Sequence, residues 1–242
     1  MTQKIALITG ANKGIGFETA RQLAQQGFHI IITARGLPAA EKAVAQLKGE
    51  GLSAEALQLD VTNSESIAAA AAAVQRAHPQ VDVLVNNAGI MVDAFDKTPS
   101  QQSLDAWRKT FDTNLFGLVE VTNAFLPLLK KANSGRIVNV SSILGSMAAN
   151  IDPTSTFYGF KIPAYNISKS AVNAWTVHLA YELRDTAIKV NAAHPGFVKT
   201  DLHGVDAPLS PQQGARTSVR LATLDANGPS GSFFHEEETQ PW

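Results

Sequence analysis

Short apolar runs alternate along the chain with longer stretches in which apolar residues recur every three or four positions. The runs fall near residues 4–9, 28–33, 54–59, 81–85, 135–141 and 188–193, with a seventh near 231–234. Two of them, His29-Ile30-Ile31-Ile32 and Val81-Asp82-Val83-Leu84-Val85, show little polar alternation, as interior strands covered by helices on both faces do. Gly27 is placed to stop the first helix, and the run Ala68 to Ala73 reads as helix with little side-chain message. This rhythm predicts the α/β class, a doubly wound parallel sheet (Rossmann fold). No linker or repeat interrupts it. A length of 242 residues with 45% hydrophobic content suits one domain spanning residues 1–242.

Composition narrows the partners. A formal net charge of -1 without a run of basic residues argues against nucleic acid or an anionic membrane. No segment is long and apolar enough to span a bilayer, and residues 1–30 lack a signal-peptide pattern, so a soluble cytoplasmic protein is expected. With no cysteine, disulfides, thiolate nucleophiles and Cys-based zinc sites are excluded. The histidines, His78 and His194 among them, lack metal-ligand spacing and are expected to be structural or surface groups, with no metal bound.

Chemistry enters where the apolar runs end. After the first comes Thr9-Gly10-Ala11-Asn12-Lys13-Gly14-Ile15-Gly16, opening a helical pattern. Three glycines allow a tight turn and close approach to a pyrophosphate, and the helix start favours an anion. The second run ends Thr33-Ala34-Arg35, with no acid where an NAD-binding fold places one on the ribose hydroxyls. Arg35 and Lys13 are instead placed to flank a ribose 2′-phosphate, which favours NADP(H). The bland reading is two solvated surface charges. Asp60, in Leu59-Asp60-Val61, either accepts from an adenine amino group or caps the helix beginning near Ser64. Asn86-Asn87-Ala88-Gly89 lies where ligands of open α/β sheets bind, or is a turn with Asn in a left-handed conformation.

Tyr165 and Lys169, four residues apart, share one face of a helix that Pro163 is suited to start. An ammonium about 4 to 5 Å from the phenol, at an effective dielectric of about 20, is worth about 3 to 4 kcal/mol, enough to bring a phenol with a pKa of about 10 toward neutrality.

Taken in order, the glycine turn, Asn86-Asn87-Ala88-Gly89, Asn114, Val138-Asn139-Val140-Ser141-Ser142, Tyr165 with Lys169, and His194-Pro195-Gly196-Phe197-Val198-Lys199-Thr200 resemble the short-chain dehydrogenase/reductase family over residues 4 to about 234. Within it, Asn12-Lys13-Gly14-Ile15-Gly16 with Thr33-Ala34-Arg35 is most similar to the NADPH-dependent carbonyl-reductase branch. The resemblance implies reduction of a ketone, aldehyde or quinone, the small-molecule substrate, with Tyr165 exchanging the proton. It implies that Lys169 depresses the Tyr165 pKa and holds the nicotinamide ribose, that Ser142 rather than Ser141 bonds the substrate oxygen, and that Asn114 binds a relay water. Read as residues alone, Asn114 opens the apolar helix Leu115 to Leu129 as a cap. The cofactor would be held by Gly10, Asn12, Lys13, Gly14, Ile15, Gly16, Arg35, Asp60, Val61, Asn87, Ala88, Gly89, Tyr165, Lys169, Pro195, Gly196, Val198 and Thr200.

Ser142 and Tyr165 stand further apart than in minimal family members, so Ala148 to Ile162 reads as an insertion. Its Phe157, Tyr158 and Phe160 either roof the substrate pocket or pack as a surface loop. The insertion, residues 201–212 and the tail Pro241-Trp242 are expected to shape the pocket. Monomer and homo-oligomer stay open. Two further readings stand beside the reductase: an NADPH-binding sensor without turnover, and an NAD-linked alcohol or sugar dehydrogenase.

Overall fold

The computed structural model describes residues 3–201 and 206–242. Eight strands form one sheet in the order β3-β2-β1-β4-β5-β6-β7-β8. They are β1 Ile5–Ile8, β2 His29–Ala34, β3 Ala54–Gln58, β4 Val83–Asn86, β5 Arg136–Val140, β6 Lys189–Ala193, β7 Phe233–His235 and β8 Glu238–Thr239. All neighbouring pairs are parallel except β7 with β8. The two-residue β8 is too short to leave an apolar run, and the sequence reading does not contain it. The seven predicted strands form, and β2 and β4 are interior as expected.

Helices cover both faces: α1 Gly14–Gln25, α2 Leu37–Gly49 and α8 Pro211–Ala222 on one, α3 Ser64–Ala77, α5 Gly117–Leu129 and α7 Pro163–Glu182 on the other. Alternate strand residues feed the two cores. Ala6, Ile8, Ile30, Ile32, Val83 and Val85 pack into the first, and Ile5, Leu7, Ile31, Leu84 and Ile137 into the second. Because both sides are dry, apolar residues fill successive positions and the period-two signal disappears. Between the layers, Asn86 Nδ2 donates to Thr122 Oγ1 and Asn139 Oδ1, and Asn139 Nδ2 to Thr176 Oγ1, each at 2.9 Å. This chain of amides fastens β4 and β5 to α5 and α7 just below the strand ends.

The chain runs β1 to β3 in one direction and returns past β1 to β4, so the strand order reverses between β1 and β4. A crevice opens there at the carboxyl ends of the strands. The glycine turn, Arg35, Asn87, Ser141 and Pro195 each follow a strand of this set. No helix among the described residues is long and apolar enough to cross a membrane.

Candidate active site

Two cavities meet at the strand ends. The larger, about 610 Å³, runs from the glycine turn to α7 and is lined by Lys13, Gly14, Ile15, Gly16, Arg35, Asn87, Gly89, Ile90, Tyr165, Lys169, Pro195 and Thr200 among others. The second, about 560 Å³, is walled by Met91, Phe95, Leu144, Phe157, Phe160, Ile162 and Phe197 beside Ser142 and Tyr165. Tyr165 lines both.

The glycine turn is shaped for close approach. Gly10 and Gly14 have φ of 61° and 60°, in the left-handed region that glycine enters without steric cost. A Cβ on Gly16 would stand 2.4 Å from Asn87 Nδ2. Asn87 binds the two loops together: its Nδ2 donates to Thr9 O at 2.8 Å and Gly10 O at 3.2 Å, while Thr9 Oγ1 accepts from the amides of Asn87 and Ala88. The left-handed reading of this turn is thereby corrected, since neither Asn86 nor Asn87 has a positive φ. Gly10, Asn12, Ala88 and Val198 lie outside the cleft lining, and Gly196 lines the apolar cavity instead. Asp60 and Val61 also stand outside the lining. The Asp60 carboxylate accepts from the amide and hydroxyl of Thr62, whereas the cap of α3 is Asn63, which accepts from Ser66 N. The capping expectation for Asp60 fails because Asn63 is one residue before the helix.

At the cleft's rim Arg35 is exposed, and Lys13 is ion-paired with Asp201, both side chains being exposed. Residues 202–205, part of the 201–212 stretch expected to shape the pocket, lie outside the described residues. Thr200 Oγ1 is 3.5 Å from Val198 O.

On α7, Tyr165 and Lys169 are both 4% exposed. Lys169 Nζ donates to Val140 O at 2.8 Å and lies 5.8 Å from the Tyr165 ring centroid. Burial pushes the phenol up to about 12, opposed by a hydrogen bond with Ser142, and pulls the Lys169 ammonium down to about 8. Desolvation of the phenolate opposes the downward pull expected of a neighbouring charge, and the Lys169 ammonium is turned to a backbone carbonyl. Ser141 is engaged elsewhere, donating to Asn173 Oδ1 at 2.6 Å.

Asn114 does not open a helix. The helix α4 Leu104–Phe111, a π turn Asp112–Phe116 and α5 run on without a break, so the capping alternative falls. The π turn, a feature found often at functional sites, includes the fully buried Asn114. The Asn114 amide pairs with Ile90 N and O at 2.8 and 2.9 Å and donates to Ser168 Oγ, which donates to Tyr165 O.

Between the Ser142 loop and α7, the segment from α6 Met147–Ile151 to Ile162 brings Phe157, Phe160 and Ile162 to the apolar cavity. Of the three aromatic residues in the insertion, Phe157 and Phe160 line this cavity, whereas Tyr158 is exposed and does not. Trp242 does not line that cavity; its carbonyl accepts from Ala148 N, and its ring stacks on Phe233.

One positioning residue has no signal in the sequence. Buried Asp93, in the loop after β4, accepts from Ala164 N at 2.8 Å and Tyr165 N at 3.1 Å. It caps α7 from 72 residues away, whereas caps legible in sequence are local.

The chain matches the short chain dehydrogenase family model over residues 4–208. It is 39% identical over 229 residues to a short-chain dehydrogenase of Penicillium roqueforti, covering 92% of this chain and 90% of that one. Its identity to carbonyl reductase [NADPH] 1 of Mus musculus is 35% over 279 residues, covering 100% and 99%. An NADPH-bound carbonyl reductase from chicken fatty liver superimposes with a TM-score of 0.86 at 28% identity, covering 100% of this chain and 95% of that one. The protein belongs to the short-chain dehydrogenase family, in its carbonyl-reductase-like part, and is an oxidoreductase.

Removing the Asp93 carboxylate leaves two buried amides at the start of α7 unpaired. Asp93→Ala is therefore expected to cost about 1–3 kcal/mol of stability in urea unfolding and to lower kcat, with Asp93→Asn, which retains one acceptor, in between. Wild-type kcat and stability in Asp93→Ala would remove its positioning role.

Proposed function

We propose that the protein reduces a bulky apolar ketone, aldehyde or quinone with NADPH, Tyr165 serving as general acid. The reading rests on one observation: Tyr165 stands in the wall shared by a glycine-bounded cleft and an apolar, aromatic cavity, with Ser142 beside it. The cleft fits a dinucleotide. The turn at Gly16 has no room for a Cβ, a helix N-terminus opens beside it, and Arg35 supplies positive charge for a 2′-phosphate, with Lys13 joining it on exchanging its Asp201 partner for the phosphate. When bound, NADPH supplies the hydride that reduces the carbonyl carbon.

The remaining work falls to side chains. Ser142 and Tyr165 direct two hydroxyls at the substrate oxygen, where negative charge develops. The phenol, raised by burial, is protonated throughout the neutral range, the form needed to donate to a carbonyl oxygen. After donation the phenolate is stabilised by the Lys169 ammonium, which also holds the nicotinamide ribose. Asn114, beside Lys169 across Gly89, holds a relay water that returns a proton to the pair. The aromatic walls exclude water and favour apolar carbonyls.

Tyr165→Phe should lower kcat for carbonyl-dependent NADPH oxidation by about 10²–10⁴-fold while leaving NADPH affinity near wild type. Retained turnover would remove Tyr165 from its role, and NADPH binding with no oxidation of any aromatic carbonyl by the wild type would favour the sensor reading. Arg35→Ala should raise the NADPH KM about ten- to hundredfold with little change for NADH; equal effects would favour the NAD-linked dehydrogenase. Lys169 loses its charge as pH rises through about 8, so NADPH affinity should be steady below that pH and weaken above it. Fluorescence titration would detect this, and Lys169→Met should abolish the inflection. A flat wild-type profile from pH 7 to about 9.5 would contradict the assigned ribose contact.

A further inference from the structure

At the end of the sheet opposite the cleft, three side chains converge that lie far apart in sequence. His29 opens β2, Glu55 is the second residue of β3, and His78 follows the last residue of α3. Glu55 reaches both histidines, with Oε1 2.6 Å from His78 Nε2 and Oε2 3.6 Å from His29 Nε2. The three donor atoms lie within 4.8 Å of one another. His29 Nδ1 is 2.7 Å from Ser53 Oγ, while its Nε2, shielded from solvent, has no hydrogen-bond partner.

An imidazole with one nitrogen held by a hydroxyl and the other shielded from solvent, without a hydrogen bond and facing a carboxylate, is arranged as metal-bound histidines are, with the outer hydrogen bond fixing the ring. Bonds of about 2.0–2.1 Å in tetrahedral geometry put donor atoms about 3.3 Å apart. That separation lies between the distances from the two Glu55 oxygens to the histidines and within the 4.8 Å that bounds all three donors, so side-chain rotation that draws the imidazoles toward one carboxylate oxygen would complete the set. Two imidazoles and a carboxylate suit zinc and its first-row neighbours rather than calcium or magnesium. We propose that His29, Glu55 and His78 bind a divalent transition metal, zinc or one of its first-row neighbours, with water in the fourth position. The ion ties β2, β3 and α3 together at the edge of the sheet, away from the catalytic groups.

The test uses the full chain stripped with EDTA. Calorimetric titration with zinc chloride should show one saturable site, and cobalt chloride should give the visible bands of a tetrahedral ion. At about a hundredfold excess over Kd, zinc should raise Tm by roughly 5–10 °C. The rise should vanish in the His29→Gln/His78→Gln double variant, and Glu55→Gln should weaken binding at least about tenfold, given the loss of an anionic ligand. Because these changes also remove hydrogen bonds, each variant is compared with its own metal-free Tm. The His194 and His235 rings, 4.9 Å apart, provide an internal control, since a metal held there would survive the double variant. Equal zinc-dependent stabilisation in wild type and double variant, or no saturable binding, would overturn the proposal.

Discussion

Burial of a single amine governs the mouth of the sheet. Lys169 is almost wholly removed from water, and its ammonium donates to the carbonyl of Val140, the last residue of β5. An amine taken out of water loses hydration worth several kcal/mol, and here the loss shows as a pKa pulled down to about 8. Holding the amine there requires close packing from every side. A Cβ on Gly145 would lie 2.7 Å from the Lys169 backbone, and one on Gly89 3.5 Å from Nζ. The turn after Ser142, the loop after β4 and α7 are therefore located relative to one another by the space this side chain leaves.

The same burial acts on Tyr165 in the opposite chemical sense. Desolvation favours the neutral form of each group, lifting the phenol and lowering the ammonium. The phenol therefore stays in its donor form across the neutral range, while the amine gives up its proton at a lower pH than a solvated lysine does. Asn114 and Ser168 connect the surrounding network to the backbone of Tyr165 itself. The π turn brings Asn114 into this network, and a regular helix at the same positions would rotate the amide along the helix surface.

Division of labour between the cavities follows from their walls. The larger cleft is bounded by glycines, amides and cations at its rim, and its shape comes largely from backbone. The second cavity is bounded by Met91, Phe95, Phe157, Phe160, Ile162 and Phe197, supplied by three separate loops. Loops vary more readily than the elements they join, so the first cavity is bound to the fold and the second to the particular chain.

Much of this was legible in the sequence for a local physical reason. Strands buried on both faces must be apolar at successive positions, a tight turn with positive φ needs glycine, and Tyr165 and Lys169 meet because a helix repeats every 3.6 residues. Each is a constraint between neighbours in the chain, so residue type and spacing carry it. What only the tertiary structure decided involves residues distant in sequence: the Asp93 cap on α7, the pairing of Lys13 with Asp201, and the convergence of His29, Glu55 and His78. The direction of the Tyr165 shift belongs with these. Spacing places Lys169 on the same helix face, but the depth of burial that raises the phenol is set by β5, α7 and the loop after β4 closing together, and no local pattern encodes that depth.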